Sequence, residues 1–369
     1  MKLVIDHQIF STQAYGGISR YFVELANHLS AIKNAEPIVL APLNFNMYFS
    51  DLKPAVAMGK HISGLPQKGR VVRMLNRFMT RLWLSKTRPE IVHSTYFYDT
   101  RCTYNKEAKI IITVHDMIHE LFPEDFPSSD NTAELKRKAV EMADHVICVS
   151  ENTRNDLVRL SGVDPKKTSV VHHGVNNIDQ NFAPKSKLPN SPYLLYVGNR
   201  KGYKNYSGLV GAYAKSTELH NRFKLVCFGG EPFSQREQKH QESLGLNSGQ
   251  VLWLEGGDSL LASLYKNASV FVYPSLYEGF GMPPLEAMSF GCPVVCSNQG
   301  SIPEVVDDAG EYFNPNNIED IITAITRVTN NPSHADELRR KGTLQLKKFS
   351  WQRCAEKTYR IYESILQDN

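Results

Sequence analysis

Short apolar runs rich in β-branched residues alternate with amphipathic helical stretches along most of the chain. This alternation is typical of parallel sheets covered by helices, because parallel strands need crossover connections and are buried on both faces. A first series of strands is predicted at 2–6, 37–41, 91–94, 110–115, 145–149 and 168–172. A second series is predicted at 193–198, 224–228, 251–254, 270–273, 293–297 and 310–313. Helices are predicted at 19–31, 133–143, 153–160 and 350–366. The pattern indicates an α/β protein with two consecutive doubly wound sheets.

The length of the chain supports the same division. A chain of 369 residues is too long for one ordinary core and suits two domains of about 150 to 200 residues each. A stretch rich in Asn, Lys and Pro over 177–192 separates the two strand series and is interpreted as a linker. We therefore predict Rossmann-like domains over 1–183 and 184–349. In such sheets ligands bind beyond the carboxyl ends of the strands, so the loops that follow strands are the places to search.

The N-terminus and the cysteines bear on cellular location. Residues 1–6 resemble the start of a buried strand rather than a signal peptide, and no apolar run approaches the roughly 18 residues of a membrane span. The cysteines lack both the spacing of a metal site and the density of a disulfide scaffold; they are at 102, 148, 227, 292, 296 and 354. We therefore expect a cytoplasmic protein.

The loop between the strand at 270–273 and the next helix carries the clearest functional signal. Gly279 and Gly281, on either side of Phe280, would let the backbone approach a ligand closely. The two prolines that follow are well tolerated in the first turn of a helix. The free N–H groups at that helix start would form an anion site suited to a diphosphate.

Two glutamates flank this loop, eight residues apart. Glu286, expected within the first turn of the helix, would accept hydrogen bonds from ribose hydroxyls, and Glu278 would lie nearer to a sugar. Taken singly, Glu278 is an ordinary loop residue and Glu286 is a charge favoured by the helix macrodipole. Their joint spacing around the glycines, with further segments that begin with glycine downstream at 291–295 and 300–304, favours a nucleotide-sugar site.

The pattern of Glu278, seven residues and Glu286 resembles that of retaining GT-B glycosyltransferases of family 4, the glycosyl transferases group 1. This family includes bacterial lipopolysaccharide, capsule and mannosyl-lipid transferases, and the order of the other segments extends the resemblance over nearly the whole chain. The resemblance implies a GT-B fold, with two Rossmann-like domains facing each other across a cleft. It also implies that the helix within 350–369 packs back on the N-terminal domain, and that catalysis retains the anomeric configuration without a metal or other cofactor.

The loop after the strand at 193–198 would supply positive charge to the departing diphosphate through Arg200 and Lys204. An ordinary solvated basic loop is the alternative. Family members often have an Arg directly after the glycine that corresponds to Gly198 and a Lys six positions after it. Lys204 keeps that spacing, whereas Asn199 occupies the usual Arg position and Arg200 comes one place later. Lys204 is therefore the preferred assignment.

Two further elements lie in the first half of the chain. By resemblance, Gly16 and Gly17 would bring backbone N–H groups to the donor phosphates; the alternative is a tight turn with Ser19 as helix cap. The pair lacks the second half of the dinucleotide fingerprint, which argues against an NAD enzyme. By resemblance, His115 would face the donor sugar and hydrogen-bond a hydroxyl, whereas Asp116 is interpreted as structural. Residues 150–153 are interpreted as a helix cap.

A window over 52–89 contains no Asp or Glu but many Lys and Arg residues. Its arginines recur at spacings of three and four beside apolar residues, as expected of a helix lying on an anionic bilayer. Peripheral membrane contact through residues 68–88 is one interpretation, and a domain helix with a basic solvent face is the other. Nucleic acid is disfavoured, because no recognised binding motif accompanies the charge.

The resemblance implies a hexosyltransferase of polysaccharide biosynthesis that moves mannose or a similar sugar from a GDP- or UDP-linked donor to a glycan or lipid-linked glycan. Glu278 would act as a nucleophile or position the donor, and His115 would assist it. The predicted donor-binding residues are Gly16, Gly17, Arg200, Lys204, Gly279, Phe280, Gly281 and Glu286. The alternatives are a GT-B-fold sugar-nucleotide hydrolase or epimerase, a glycosidase that uses both glutamates, and a non-catalytic nucleotide-sugar-binding scaffold of a polysaccharide assembly complex.

Overall fold

A computed structural model describes residues 1–62, 70–98, 108–175, 182–184 and 187–367. The chain divides into two units: unit 1 comprises Met1–Gly174 with Ser350–Asn369, and unit 2 comprises Val175–Phe349. The predicted boundary at 183/184 lies within the linker, of which residues 176–181 and 185–186 lie outside the described residues.

Unit 1 is built on a parallel sheet of seven strands among the described residues. They are β1 Lys2–Ile5, β2 Glu36–Asn44, β3 Ala57–His61, β4 Ile91–Ser94, β5 Lys109–Val114, β6 His145–Cys148 and β7 Thr168–Val170. Their order is β3-β2-β1-β4-β5-β6-β7, so the winding reverses between β1 and β4. The carboxyl ends of these two strands form the place where doubly wound sheets bind ligands.

The helices of unit 1 are α1 Gly17–Leu29, α2 Arg70–Thr87, α3 Ile118–Leu121, α4 Thr132–Met142, α5 Glu151–Ser161 and α14 Trp351–Gln367. The apolar face of α1 buries Tyr21, Phe22 and Leu25 in one core cluster with Tyr362 of α14. The prediction that residues 150–153 cap a helix is confirmed, because Ser150 Oγ accepts a hydrogen bond from the N–H of Thr153 at 3.0 Å.

Unit 2 is built on a second parallel sheet, with six strands among the described residues. They are β8 Tyr193–Val197, β9 Lys224–Phe228, β10 Val251–Leu254, β11 Val270–Tyr273, β12 Val294–Ser297 and β13 Gly310–Phe313. The order is β10-β9-β8-β11-β12-β13, and the winding reverses between β8 and β11. The two loops singled out in the sequence follow these two strands, so the fold brings them to one edge of the sheet.

The helices of unit 2 are α6 Tyr206–Lys215, α7 Thr217–Arg222, α8 Gln235–Ser243, α9 Asp258–Asn267, α10 Met282–Ser289, α11 Ile302–Val306, α12 Ile318–Asn330 and α13 Pro332–Leu346. The prediction of two doubly wound parallel sheets is confirmed. Sequence patterning missed β3, because its residues Ala-Met-Gly-Lys-His are mostly exposed and do not alternate.

The sequence analysis made expectations about the cysteines and about membrane-spanning segments, and the structure describes both features. Cys148, Cys227, Cys292, Cys296 and Cys354 are buried free thiols, and Cys102 lies outside the described residues. No helix in the described part of the chain is both long enough and apolar enough to cross a membrane.

Candidate active site

Lys204 and Glu278 form an ion pair at the switch point of unit 2. Lys204 ends a single 3-10 turn over Gly202–Lys204, one loop after β8, and Glu278 follows β11. Lys204 Nζ lies 2.7 Å from Glu278 Oε1, and the two side chains are only 17% and 9% exposed. The loops also join through their backbones, since Leu276 N–H donates to the Tyr203 carbonyl at 2.8 Å. A cation and a carboxylate are therefore held together where a ligand of this fold would bind.

The backbone around Glu278 is fixed by a segment that follows β12. Ser301 Oγ lies 2.9 Å from the carbonyl oxygens of both Glu278 and Phe280. The adjacent Gly300 has φ +61°, and a Cβ atom there would lie 3.1 Å from the backbone nitrogen of Glu278. The sequence indicates that the segment 300–304 accompanies the Glu278 motif but does not indicate its role. The structure shows that it clamps the loop that carries Glu278.

The glycine loop leads into helix α10 as predicted. Gly281 is the N-cap residue with φ +94°, a conformation that favours glycine, and a proline pair occupies the first turn. Phe280 is buried against Phe349 with ring centroids 5.7 Å apart. The helix therefore begins with its N–H groups directed toward the end of the glycine loop.

Glu286 lies deeper in α10 than predicted. The helix begins at Met282, so Glu286 is one turn further along and the first turn contains no acidic residue. The placement in the first turn was wrong, because the helix starts before the proline pair rather than at it. Tyr265 OH donates to Glu286 Oε2 at 3.2 Å. Burial raises the pKa of Tyr265, and the charge of Glu286 raises it further, so the phenol stays protonated and can donate.

Arg200 is engaged by the loop that follows β9. Its side chain is 5% exposed, and its Nε donates to Glu237 Oε1 at 2.5 Å. The guanidinium also donates to the carbonyl of Glu231 and lies 4.8 Å from the Phe233 ring centroid. In the structure, the Arg200 side chain connects the loops after β8 and β9. Direct contact of Arg200 with a diphosphate stays a prediction.

The glycine pair of unit 1 opens α1. Gly16 is the N-cap residue and Gly17 the first helical residue. The alternative with Ser19 as the cap was wrong, because Ser19 lies inside the first turn and its Oγ donates back to the Gly16 carbonyl at 3.0 Å. A Cβ atom at Gly17 would meet no atom within 4 Å, so the backbone there is open to approach.

His115 follows β5 and has a buried ring nitrogen. Among the described residues, its Nε2 has no hydrogen-bond partner. Its ring packs edge-on against Tyr21, with centroids 5.0 Å apart. Burial, reinforced by His93 and Lys136, lowers the pKa of His115 to about 3. The imidazole is therefore neutral near pH 7, and a buried polar atom without a partner is costly unless a ligand or solvent satisfies it.

A buried network beneath His115 was not anticipated. His93 Nε2 lies 2.8 Å from Thr113 Oγ1, and His93 Nδ1 lies 2.6 Å from Tyr362 OH on α14. Burial lowers the pKa of His93 to about 3. No sequence signal could reveal it, because His93 and Tyr362 are 269 positions apart.

Asp116 has the structural contacts expected of it. Its Oδ1 accepts a hydrogen bond from the N–H of Ile118 at 3.0 Å. Its carbonyl accepts one from the buried Lys136 Nζ at 2.8 Å, and the same ammonium pairs with Glu120 at 2.9 Å. These contacts fix the start of α3 at Ile118, shortly after His115.

Helix α2 has an apolar face that points away from the sheet. Val71, Met74 and Phe78 are 62%, 64% and 62% exposed, whereas Asn76 is buried. Asn76 anchors the helix by accepting from the N–H of Leu43 at 2.8 Å and donating to its carbonyl at 2.7 Å. Exposed arginines of α2 occupy one side of the apolar face at Arg73, Arg77 and Arg81. Of the predicted window 68–88, residues 68–69 and the side chain of Arg70 lie outside the described residues.

Two family models match nearly the whole chain in succession. Glycosyltransferase Family 4 matches residues 15–177, and Glycosyl transferases group 1 matches residues 177–345. The chain is 29% identical to the O-antigen chain mannosyltransferase B of Escherichia coli, covering 95% of this chain and 96% of that protein. It is 27% identical to the O-antigen chain mannosyltransferase RfbU of Salmonella typhimurium, covering 85% and 90% respectively.

The fold of this chain is similar to those of solved structures. The Anabaena protein HepE in complex with UDP-glucose matches with a TM-score of 0.74 at 15% identity, covering 99% of this chain and all of that one. This likeness bears on the fold alone. Among the described residues, no group of three or more His, Cys, Asp or Glu side chains is placed to hold a metal ion.

Proposed function

The chain belongs to the GT-B glycosyltransferases of group 1 and family 4, and from this membership we propose that it transfers mannose from a nucleoside diphosphate sugar to a glycan or lipid-linked glycan. The acceptor would be an intermediate of polysaccharide biosynthesis. Its mannosyltransferase relatives support the choice of mannose. Retention of the anomeric configuration and independence of metal ions are parts of the proposal.

The observation that carries the proposal is the ion pair between Lys204 and Glu278 at 2.7 Å beside the start of α10. In the reaction, the bond between the anomeric carbon and the β-phosphate oxygen breaks, and negative charge gathers on the diphosphate. A hydroxyl oxygen of the acceptor would bond to the anomeric carbon from the same face, and its proton would pass to the departing phosphate oxygen. Lys204 and the helix N-terminus would stabilise that charge. Both are supplied by the chain itself, so the leaving group would need no metal ion.

The opposite charge gathers on the sugar ring, which becomes oxocarbenium-like. We assign Glu278 to the donor sugar, where its carboxylate would stabilise positive charge and orient the ring. Lys204 and the clamp formed by Gly300 and Ser301 hold that carboxylate in place, and such preorganisation avoids rearrangement during the reaction.

The remaining predicted residues would bind neutral parts of the donor. Glu286, already an acceptor for Tyr265, has further lone pairs for the ribose hydroxyls. His115, neutral near pH 7 and with a buried Nε2, would hydrogen-bond a sugar hydroxyl. Gly17, with no atom within 4 Å of an added Cβ, would admit the donor phosphates.

Two measurements test this proposal. The first is a thermal-shift screen of the full chain with GDP, UDP and ADP in EDTA, since a ligand that binds only the folded state raises its stability. The second is proton NMR of the product formed from GDP-mannose or UDP-glucose with a glycan acceptor. We expect one nucleotide to stabilise the protein and the product to have the same anomeric configuration as the donor. An inverted product, or turnover that EDTA abolishes, would contradict the mechanism.

The proposal includes peripheral contact with an anionic membrane through α2. The exposed apolar side chains at Val71, Met74 and Phe78, flanked by arginines, match a helix that inserts its apolar face between anionic headgroups. Co-sedimentation with vesicles of phosphatidylglycerol and phosphatidylcholine tests it. Binding should fall for Phe78→Ser and should not occur with pure phosphatidylcholine. Binding that is unchanged in Phe78→Ser and equally strong to pure phosphatidylcholine would favour a domain helix with a basic solvent face.

A further inference from the structure

A cavity of about 510 Å³ opens in unit 1 beyond the carboxyl ends of β1 and β4. This volume lies within the range of sites that bind small molecules. His7 and Gln8, which directly follow β1, form part of its lining, and Tyr98 lines it from the segment after β4. Arg73 and Arg77 of α2 complete one side. The cavity therefore lies at the switch point of this sheet, and none of the residues predicted to bind the donor lines it.

The buried part of the cavity is fixed before any ligand binds. Gln8 Nε2 donates to Asp6 Oδ2 at 2.7 Å, and Gln8 Oε1 accepts from the N–H of Tyr98 at 2.7 Å. His7 Nδ1 lies 3.2 Å from Thr80 Oγ1 on α2. These bonds hold the loops after β1 and β4 together, so the part of the lining formed by His7 and Gln8 is fixed in place.

The charged side chains that line the cavity, among the described residues, are two arginines. Arg73 and Arg77 are exposed and lie one helical turn apart, so their guanidinium groups can converge on one ligand. The described residues that line the cavity include no Asp or Glu. No carboxylate of the described residues forms an ion pair with Arg73, whose guanidinium lies 5.9 Å from the Tyr98 ring centroid. Burial lowers the pKa of His7, which is therefore neutral near pH 7 and adds no charge.

The chemistry of these groups specifies a class of ligand. Paired arginines bind planar or tetrahedral oxyanions through two parallel hydrogen bonds. An exposed tyrosine ring beside them offers an apolar surface to the C–H face of a sugar, and Gln8 and His7 offer polar atoms for hydroxyl groups.

We propose that this cavity binds the acceptor, and that the acceptor is a saccharide that carries a phosphate or carboxylate group held by Arg73 and Arg77. The inference rests on the proposed function, which requires a second substrate besides the donor. It adds the anionic character of that substrate and the residues that select it.

The test is calorimetric titration of the full chain with small probes in the presence of saturating GDP or UDP, whichever the protein binds. The nucleotide keeps phosphate probes away from the donor loops. The probes are mannose 6-phosphate, glucuronate, methyl mannoside and inorganic phosphate. We expect one anionic sugar to bind at least tenfold more tightly than methyl mannoside, and which of the two binds identifies the phosphate or the carboxylate.

The variant Arg73→Gln/Arg77→Gln should weaken binding of that sugar at least tenfold. Arg81→Gln is the matched control, because Arg81 is an exposed arginine of the same helix that does not line the cavity. Both proteins should keep the nucleotide-induced thermal shift, which also shows that they fold. Equal binding by the double variant, an equal loss in Arg81→Gln, binding of inorganic phosphate as tight as that of the sugar, or preference for methyl mannoside would each overturn the inference.

The two proposals fail separately. If an anionic sugar binds through Arg73 and Arg77 but no nucleotide binds, the donor assignment fails and the cavity stands as an anionic-sugar site. If a nucleotide binds and none of the sugar probes does, the donor assignment stands and the cavity inference is overturned.

Discussion

The loops of unit 2 and the surroundings of His115 in unit 1 differ in whether their polar groups already have partners. In unit 2 the charged groups already have partners, as Lys204 pairs with Glu278 and Arg200 with Glu237. In unit 1 the buried Nε2 of His115 has no partner among the described residues. Unit 2 is therefore preorganised for charge, whereas the Nε2 of His115 would gain its missing hydrogen bond from a ligand or solvent.

The largest expected effect tests the preorganised charge. Lys204→Ala should lower kcat by about 10²- to 10³-fold, as is common for loss of one group that stabilises charge in the transition state. Glu278→Gln should cause a loss of similar size, because it removes the negative charge that lies 2.7 Å from Lys204 Nζ. Initial rates with a saturating donor measure both. Lys201→Ala, an exposed lysine in the same loop, is the control, and an equal loss there would mean that only general positive charge matters.

The next effect tests the group in unit 1. His115→Ala should lower kcat by about 10- to 100-fold, the equivalent of one hydrogen bond to a group that develops charge. Nucleotide binding should be unchanged, since His115 is assigned to the sugar and not to the diphosphate. Comparison with His28→Ala on α1 separates this effect from general destabilisation. Unchanged kcat, or loss of nucleotide affinity, would remove His115 from the site.

Arg200 gives a smaller effect and decides between two assignments. If it joins loops, Arg200→Lys and Glu237→Gln should each raise the donor KM by roughly threefold to tenfold and leave kcat nearly unchanged. Their effects should not add in the double variant, because residues in contact are coupled. Direct contact with the diphosphate predicts instead that Glu237→Gln is silent and that Arg200→Ala lowers kcat as Lys204→Ala does.

The smallest effect concerns acid stability in unit 1. His93 has a folded-state pKa of about 3, below the usual 6.5 that it regains on unfolding. The unfolded chain therefore binds a proton that the folded chain excludes, and the free energy of unfolding falls as pH decreases from about 6.5 toward 3. Urea denaturation at pH 7.5 and 5.5 should show a loss of about 1 kcal/mol from this residue. In His93→Gln, the loss of unfolding free energy between pH 7.5 and 5.5 should be smaller by this amount. A loss equal to that of the parent protein would contradict the prediction.

Most strands could be predicted from the apolar pattern of the sequence, because buried parallel strands are continuous apolar runs. The exposed edge strand β3 did not, since Ala57–His61 has no apolar periodicity. The glycine loop and the proline pair predict the start of α10 only approximately, because the helix begins at Met282, before the prolines, and Glu286 therefore lies beyond the first turn. Local spacing sets such elements, and small shifts at a helix end change what a side chain can reach.

The contacts that position the site could not be predicted from sequence. Arg200 looked like a free cation beside a glycine, yet its partner Glu237 lies 37 positions away. Ser301 fixes the Glu278 loop from 23 positions away. Such pairs are set by the strand order β9-β8-β11-β12, which local patterns do not specify.

The most direct measurement is calorimetric titration of GDP-mannose and UDP-glucose into the full chain in EDTA, repeated with Lys204→Ala and Lys201→Ala. We expect one donor to bind the parent protein with a stoichiometry near one. It should bind at least tenfold more weakly to Lys204→Ala and with unchanged affinity to Lys201→Ala. Binding of neither donor, or equal affinity in all three proteins, would contradict the assignment of the Lys204 and Glu278 loops to the donor.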